Sequence, residues 1–150
     1  MANVIKALTA EQQEAAFAVR RAVFVDEQQV DRDLEFDEHE KEASHFLATD
    51  TNGLPCGAAR WRLTDNGVKL ERFAVLATHR RQSIGSAMMK AVLQDIAANE
   101  DSRNKRIYLH AQIDAIPLYK KFGFSPYGDE FMEADILHQA MERFPSGDAP

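Results

Sequence analysis

The loop His79-Arg80-Arg81-Gln82-Ser83-Ile84-Gly85-Ser86 is the segment whose residue types and order suggest chemistry most directly, because it joins a strand-like stretch to a helix-like one. At such a junction the unpaired N–H groups of the first helical turn and the positive end of the helix dipole attract anions, and guanidinium groups add charge-assisted hydrogen bonds. A phosphate-bearing ligand is the chemistry this predicts. The loop fits neither glycine pattern that cradles nucleoside triphosphates or nicotinamide dinucleotides, which disfavours those ligands. Read alone, it is equally a cationic helix entry without a ligand.

Three other groups of residues carry less. Asp31, Asp33, Glu35, Asp37 and Glu42 fall at positions 1, 3, 5, 7 and 12 of a calcium-loop register, but Phe36 stands where such a loop turns on glycine. A solvated acidic loop is the expected reading of that stretch. His39, His45, His79, His110 and His138 include no H-x-x-x-H or H-E-x-x-H pair, so no metal is expected. Cys56, the single cysteine, has no base at fixed spacing and reads as a small buried residue rather than a nucleophile.

The elements that must position these groups follow from spacing. Val4–Leu8 reads as a strand, and Thr9 with Gln12 forms a capping-box pattern before a helix of roughly 10–25 with Ala16, Val19 and Val23 at helical intervals. His45–Asp50, Gly57–Thr64 and Val68–Leu76 read as an antiparallel meander. They are separated by Asn52-Gly53 and Asn66-Gly67, dipeptides suited to turns whose two central residues need positive φ. In the second of these strands Ala59, Trp61 and Leu63 alternate with Arg60 and Arg62, which predicts one apolar and one cationic face. Ile84, Ala87, Met88, Ala91, Val92 and Ile96 form a helix stripe, and Arg106–His110 is a further strand, so 70–111 is a strand–helix–strand unit with parallel strands. Asp114 is expected to cap a helix carrying Pro117, with Gly123 at its C-terminal end, and Phe124 and Ile136–Met141 complete the sheet. The fold class is α+β, with a mixed, mostly antiparallel sheet, one parallel crossover and flanking helices.

Length and composition bound the function. One domain over 1–144 with a flexible tail over 145–150 fits 150 residues, and 45% apolar with 28% charged residues is globular. Eighteen basic against 24 acidic residues give −6, which argues against nucleic acid or an anionic membrane as partner. One cysteine and no long apolar run, at the start or elsewhere, predict a cytoplasmic protein without a membrane span or secretory signal.

Arg80-x-x-Ser83-x-Gly85 after the strand Leu70–Leu76 resembles the acyl-CoA pyrophosphate loop of the GNAT N-acyltransferase superfamily, and Gln112-x-x-Ala115-x-x-x-Tyr119-x-x-x-Gly123-Phe124 resembles a later segment of that family. Arg20-x-x-Val23-Phe24-Val25-x-Glu27-Gln28, Arg60-Trp61-Arg62, Leu70-Glu71-Arg72 and Ile136-x-His138 are similar to the YjcF/ElaA-like group of small bacterial acetyltransferases. The resemblance covers nearly the whole chain. It departs from the family at Ser83, where the first loop glycine usually stands, and at Gln112, where an asparagine does. A serine needing positive φ costs about 1–2 kcal/mol; a serine starting the helix is a good N-cap.

The resemblance implies an acetyltransferase using acetyl-CoA on a small-molecule or protein amine by direct attack in a ternary complex; a homodimer is left open. Phe73, Ala74 and Val75 would offer backbone groups to pantetheine and an oxyanion donor. Arg80, Arg81, Gln82, Ser83, Ile84, Gly85 and Ser86 would hold the pyrophosphate, with Gln112 and Tyr119 completing the cofactor site. Tyr119 would donate to the departing thiolate. Glu71, expected on the same face as Phe73 and Val75, would take the ammonium proton or pair with Arg60 or Arg62; both readings stand. The net −7 of Asp26–Glu42 would draw a cationic acceptor. The alternatives are a silent CoA-binding module, an acyl-homoserine-lactone synthase-like enzyme, and a basic-loop RNA binder that the net charge disfavours.

Overall fold

The computed structural model describes residues 2–32 and 36–145. Asp33 and Glu35 of the acidic stretch, and all but the first residue of the expected tail, lie outside the described residues. In chain order the elements are β1 (Asn3–Lys6), α1 (Ala10–Arg20) continuing into a π-helical segment (Arg21–Glu27), β2 (Ser44–Thr49), β3 (Pro55–Thr64), β4 (Gly67–Val75), α2 (Ile84–Ala98), β5 (Ile107–Gln112), α3 (Ile116–Lys121), β6 (Ser125–Pro126), β7 (Phe131–Glu133) and β8 (Ile136–Arg143). They form a single sheet in the order β1-β2-β3-β4-β5-β8-β6, with β7 also on β8. Every pair is antiparallel except β4 with β5, the crossover that α2 makes. No helix among the described residues is long and apolar enough to cross a membrane.

Local sequence accounts for most boundaries. The Thr9 hydroxyl accepts the Gln12 N–H at 3.1 Å and the Gln12 amide oxygen accepts the Thr9 N–H at 3.1 Å, so the capping box starts α1. The single helix expected over 10–25 instead widens after Arg20, with the Gln28 N–H donating to the Val23 carbonyl at 3.0 Å, and this wider turn delivers Glu27 and Gln28 to the cleft described below. Both hairpins form, but only their glycines take positive φ. In the first, Asp50 Oδ1 accepts the N–H groups of Asn52 and Leu54 at 2.9 and 3.0 Å and shapes the turn itself. In the second, the link is Asp65-Asn66, and Gly67 follows it at φ 127°, where a Cβ would lie 2.4 Å from the Arg106 carbonyl. Asp114 caps nothing: it sits inside a short 3₁₀ turn, and α3 starts from Ala115 without a side-chain cap. Gly123 does end α3, at φ 88° with the Gly123 N–H on Lys120 O and the Phe124 N–H on Tyr119 O, the Schellman arrangement.

Two cores lie on the two faces of the sheet. On one face α2 buries Ile84, Met88, Val92 and Ile96 against Ala59, Trp61, Leu70 and Leu109. On the other, α1 and its π-helical extension bury Ala16, Val19 and Val23 against Leu47, Ala58 and Ala74. The expected alternation in β3 is present, yet its cationic face is interior. Arg60 is 0% exposed and donates to Asp37 at 2.9 and 2.7 Å, Glu40 at 2.8 Å and Glu71 at 3.0 Å. Arg20, also buried, forms a two-bond pair with Glu40 at 2.9 and 2.8 Å. The acidic stretch is therefore not simply a solvated loop: Asp37 and Glu40 are folded under it as counter-ions. His45 donates from Nε2 to the Glu40 carbonyl at 2.6 Å, and burial pushes its pKa down, so it adds no charge there.

The buried arginines hold the carboxyl groups of Asp37, Glu40 and Glu71 below their ordinary range, overcoming a burial effect of opposite sign. Groups with depressed folded pKa values stabilise above their unfolded values and lose that contribution as pH falls. Stability should therefore hold from neutrality down to about pH 5 and decline below about pH 4. Arg60→Ala removes the cation that Asp37, Glu40 and Glu71 share, leaving them Arg72, Arg20 and Arg62 respectively, and should destabilise by about 3 kcal/mol near neutral pH, with the deficit shrinking as the medium is acidified. Urea unfolding of both proteins at about pH 7 and about pH 4 checks this; a deficit independent of pH would contradict the ion network as its cause.

Candidate active site

The β4–β5 pairing covers only Val68–Leu70 against Ile107–Leu109. Beyond Leu70 the strands part, and a cavity of about 700 Å³ opens in the gap, lined from both strands and from the elements around them. The cause is local. Between Ala58 and Arg60 the β3–β4 register shifts, so that β4 carries one extra residue, and Arg72 absorbs it at φ 58°. The extra residue also reverses the side-chain phase. Glu71 faces the α1 side with Arg60, whereas Phe73 and Val75 pack on the α2 side. The expectation that Glu71 shares a face with Phe73 and Val75 is therefore corrected: it holds only for an uninterrupted strand, and β4 is interrupted at Arg72.

At the far end of β4, a 3₁₀ turn (Ala77–His79) leads into the loop before α2. Arg81 and Ser83 both adopt left-handed conformations, at φ 66° and 63°, and the first backbone bond of α2 runs from the Ala87 N–H to Ser83 O at 3.0 Å. The N–H groups of Ile84, Gly85 and Ser86 precede that bond and form the anion-attracting end. Ser83 makes no side-chain cap, so it occupies a glycine-like backbone position rather than the N-cap role. Arg81 is exposed and has no partner among the described residues. Lys121, from α3, reaches Ser86 Oγ at 3.2 Å and adds a cation beside the loop that sequence reading missed.

Arg80 is engaged elsewhere. Its Nε donates to the Val75 carbonyl at 3.0 Å and its two Nη groups donate to Glu27 at 2.6 and 2.7 Å. The hydrogen bond from Arg80 lowers the Glu27 pKa, and the same bond raises that of Arg80. The neighbouring Gln28 exchanges amide hydrogen bonds with Gln112 at the end of β5, at 3.2 and 2.9 Å. Consecutive residues thus tie the two separated arms, Glu27 to the loop after β4 and Gln28 to β5. The spacing Glu27-Gln28 was visible in the sequence, but the partners stand 53 and 84 residues away.

Tyr119 lies in the same cavity, 7% exposed, its ring edge-on to Phe73 and Phe124 at 6.2 and 6.1 Å. The Schellman turn at Gly123 is what folds Phe124 back onto it. Burial pushes its phenol above the ordinary value and its hydroxyl has no hydrogen-bond partner among the described residues, so the group is a neutral donor aimed at the cavity. Glu71 is 7% exposed at its side chain, accepts from Arg60 at 3.0 Å and Arg62 at 2.7 Å and lies 3.4 Å from Lys69 Nζ as an ion pair, with its pKa lowered by these cations against the opposing effect of burial. These contacts match the ion-pair reading of Glu71 and make it a poor proton acceptor. The cavity wall mixes Asp37, Glu38 and Glu133 with Arg62, Lys69 and Arg72, and Asp37 is already paired with Arg60 and Arg72. Of the acids expected to draw a cationic acceptor, Asp37 and Glu40 are thus taken by arginines, while Asp26 and Glu38 remain exposed. Cys56 is buried and burial raises its thiol, as a core residue requires.

The acetyltransferase (GNAT) domain family matches residues 6–144. An uncharacterised N-acetyltransferase of Bacillus subtilis, YjcF, is 43% identical over 132 residues, 87% of this chain and 91% of that relative. The crystal structure of Escherichia coli ElaA superposes with a TM-score of 0.82 at 26% identity, covering 95% of this chain and 99% of that one. An aminoglycoside 6′-N-acetyltransferase solved with coenzyme A shares the fold, with a TM-score of 0.68 at 13% identity and coverage of 96% of each chain.

Because Ser83 holds a left-handed conformation without compensating hydrogen bonds from its side chain, Ser83→Gly should stabilise the protein by about 1 kcal/mol. Urea unfolding measures it; a loss of stability would return Ser83 to a capping role.

Proposed function

The chain belongs to the acetyltransferase (GNAT) family, and on that premise we propose that this acyl-CoA-dependent enzyme transfers an acetyl group from acetyl-CoA to a primary amine by direct attack. The observation that carries the reading is the gap between β4 and β5, with an anion-attracting helix start at one end and an unpaired phenol inside it. The pyrophosphate would sit on the backbone of Gln82–Ser86 beside Arg81 and Lys121. Pantetheine would run along the β5-facing edge of Phe73–Val75, whose Val75 carbonyl is held by Arg80 Nε and where a backbone N–H would meet the thioester oxygen as negative charge develops. Gln112 would border it.

The acceptor's ammonium group loses one proton, the lone pair of the resulting neutral amine attacks the thioester carbon, and collapse of the tetrahedral intermediate breaks the C–S bond. Its electron pair goes to sulfur, and nitrogen sheds a second proton. One of the two protons ends on the CoA thiol and the other leaves to solvent. Tyr119 would stabilise the thiolate by donating a hydrogen bond. Full transfer from a phenol raised above about 10 to a thiolate near 8.5 is uphill by more than about 2 kcal/mol, so that donation is the role assigned. Glu71 in this reading is structural: it neutralises Arg60 and Arg62 under the cavity floor.

A thermal-shift series with acetyl-CoA, followed by thiol release with a panel of primary amines, tests the function; stabilisation without amine-dependent release would instead indicate a CoA-binding module. Arg80→Ala with Arg81→Ala should weaken acetyl-CoA binding tenfold or more, about 1.4 kcal/mol. Glu27→Gln should tighten it several-fold, because it releases Arg80 for phosphate. Isothermal titration reads both, and unchanged affinities would remove the loop from the cofactor site. Tyr119→Phe should lower kcat about 10- to 1000-fold with little effect on acetyl-CoA affinity; a loss confined to binding would make Tyr119 a cofactor contact only.

A further inference from the structure

With Glu71 committed to cations, the amine's proton needs another acceptor, and the cavity wall opposite holds three side chains that the sequence reading left unassigned. His110 is the first residue of β5 beyond its pairing with β4, at the apex of the gap, and by register it faces the same side as Lys69 and Glu71. Its Nδ1 donates to Glu133 Oε1 at 3.1 Å, which leaves the Nε2 lone pair free of any partner among the described residues. His138 donates from Nδ1 to the Ile136 carbonyl at 2.6 Å, and its Nε2 lies 3.7 Å from Glu133 Oε2, too far for a hydrogen bond. Phe131 stacks on His138 at 5.9 Å and meets His110 edge-on at 5.0 Å. Glu133 reaches this position on a two-residue hairpin, Ala134-Asp135, whose residues hold φ 51° and 62° without a glycine. Backbone strain of that kind persists only where the surroundings over-determine it.

We propose that His110 is the proton acceptor for the attacking amine, and that Glu133 is the positioning residue that holds its Nδ1–H and so presents Nε2 to the cavity. The arrangement is that of a base oriented by a carboxylate. Nε2 takes a proton from the ammonium group, the neutral amine attacks the thioester, and the imidazolium is balanced by the adjacent carboxylate until the proton passes to solvent. The hydrogen bond from His110 also keeps Glu133 ionised, by lowering its pKa. The charged and titratable groups around His110 are Glu133 on β7, His138 on β8, and Lys69 and Glu71 on β4; Lys69 and His138 both act on Glu133. The three side chains do not form a group placed to hold a metal ion. This assignment rests on the acetyltransferase reading and names the residue that reading lacks.

The test uses the full chain with acetyl-CoA and spermidine, phenethylamine or Nα-acetyllysine amide, following thiol release against pH. His110→Asn keeps a donor for Glu133 but removes Nε2. It should lower kcat/KM for the amine about 100-fold near neutral pH and abolish the acidic limb of the profile, with acetyl-CoA affinity unchanged as the control for folding. Glu133→Gln keeps an acceptor for the His110 Nδ1–H and should retain most of kcat/KM, whereas Glu133→Ala should lower kcat about tenfold with acetyl-CoA affinity unchanged. His138→Asn should leave the limb in place. A limb that survives His110→Asn, or that disappears with His138→Asn instead, would overturn the assignment. Absence of thiol release by the unmodified chain with every amine would overturn the acetyltransferase reading beneath it.

Discussion

At Arg72, β4 carries one residue more than the length of β3 it pairs with, and the surplus is taken up by a left-handed residue at φ 58°. Three features depend on that irregularity. It bends β4 away from β5, so that only three residue pairs join the two strands and the cavity can exist. It reverses the side-chain phase, so that Glu71 turns to the ion network while Phe73 and Val75 turn to the apolar core over α2. It also leaves the β5-facing backbone edge of the last β4 residues available to a ligand. A regular strand would close the gap with hydrogen bonds and fill it with sheet.

The opened side of the sheet has a second requirement, because α1 and its extension cover only part of that face. The remainder is polar, and its charges are stabilised by one another. Arg60, wholly buried, serves Asp37, Glu40 and Glu71 at once, and Arg20 shares Glu40. Such a cluster contributes little net stability compared with an apolar core, since desolvation offsets most of the attraction. Its value is positional. It fixes Asp37 and Glu40 over the sheet, and with them the cavity-lining stretch that runs through Glu38 and His39. The chain therefore uses buried charge as scaffolding for one wall of the site.

Periodicity made much of the fold legible: the capping box at Thr9, the two glycine-marked hairpins and the α2 stripe pointed to the first helix, the β2–β3–β4 meander and the parallel crossover to β5. The loop from Gln82 to Ser86 stood out because a strand-like and a helix-like stretch flank it, and Tyr119 through the resemblance of its segment to the acyltransferase family. What sequence alone hid is long-range or without a marker. The bulge falls on an arginine, not a glycine, so nothing in Leu70-Glu71-Arg72-Phe73 announces the phase reversal. Glu27 and Gln28 sit on a widened helical turn, and their partners Arg80 and Gln112 belong to elements reached only after folding. The acids of Asp26–Glu42 looked like a solvated run because the arginines that bury two of them, Arg20 and Arg60, stand on α1 and β3. His110, Glu133 and His138 have no sequence spacing that links them; the register of β5, β7 and β8 brings them together.

Backbone strain has the same distribution as the chemistry. Among the described residues the non-glycine positions with positive φ are Gln29, Arg72, Arg81, Ser83, Asn104, Ala134 and Asp135, and all but Asn104 border or adjoin the cavity or the loop before α2. Each costs about 1–2 kcal/mol relative to a right-handed residue, which is a large share of the roughly 5–15 kcal/mol that holds a domain together. Substituting glycine at these positions would relieve the strain but enlarge the conformational freedom of the unfolded chain and of the site. Arg72 and Ala134 illustrate what is gained by tolerating it: a side chain is retained beside the gap, and the turn after it has one geometry. The two arms of the site are then held from outside, by Glu27 on Arg80 and Gln28 on Gln112, rather than by pairing between β4 and β5. The gap between β4 and β5 is thus spanned by side-chain contacts, while the strands themselves are fixed by the sheet on either side.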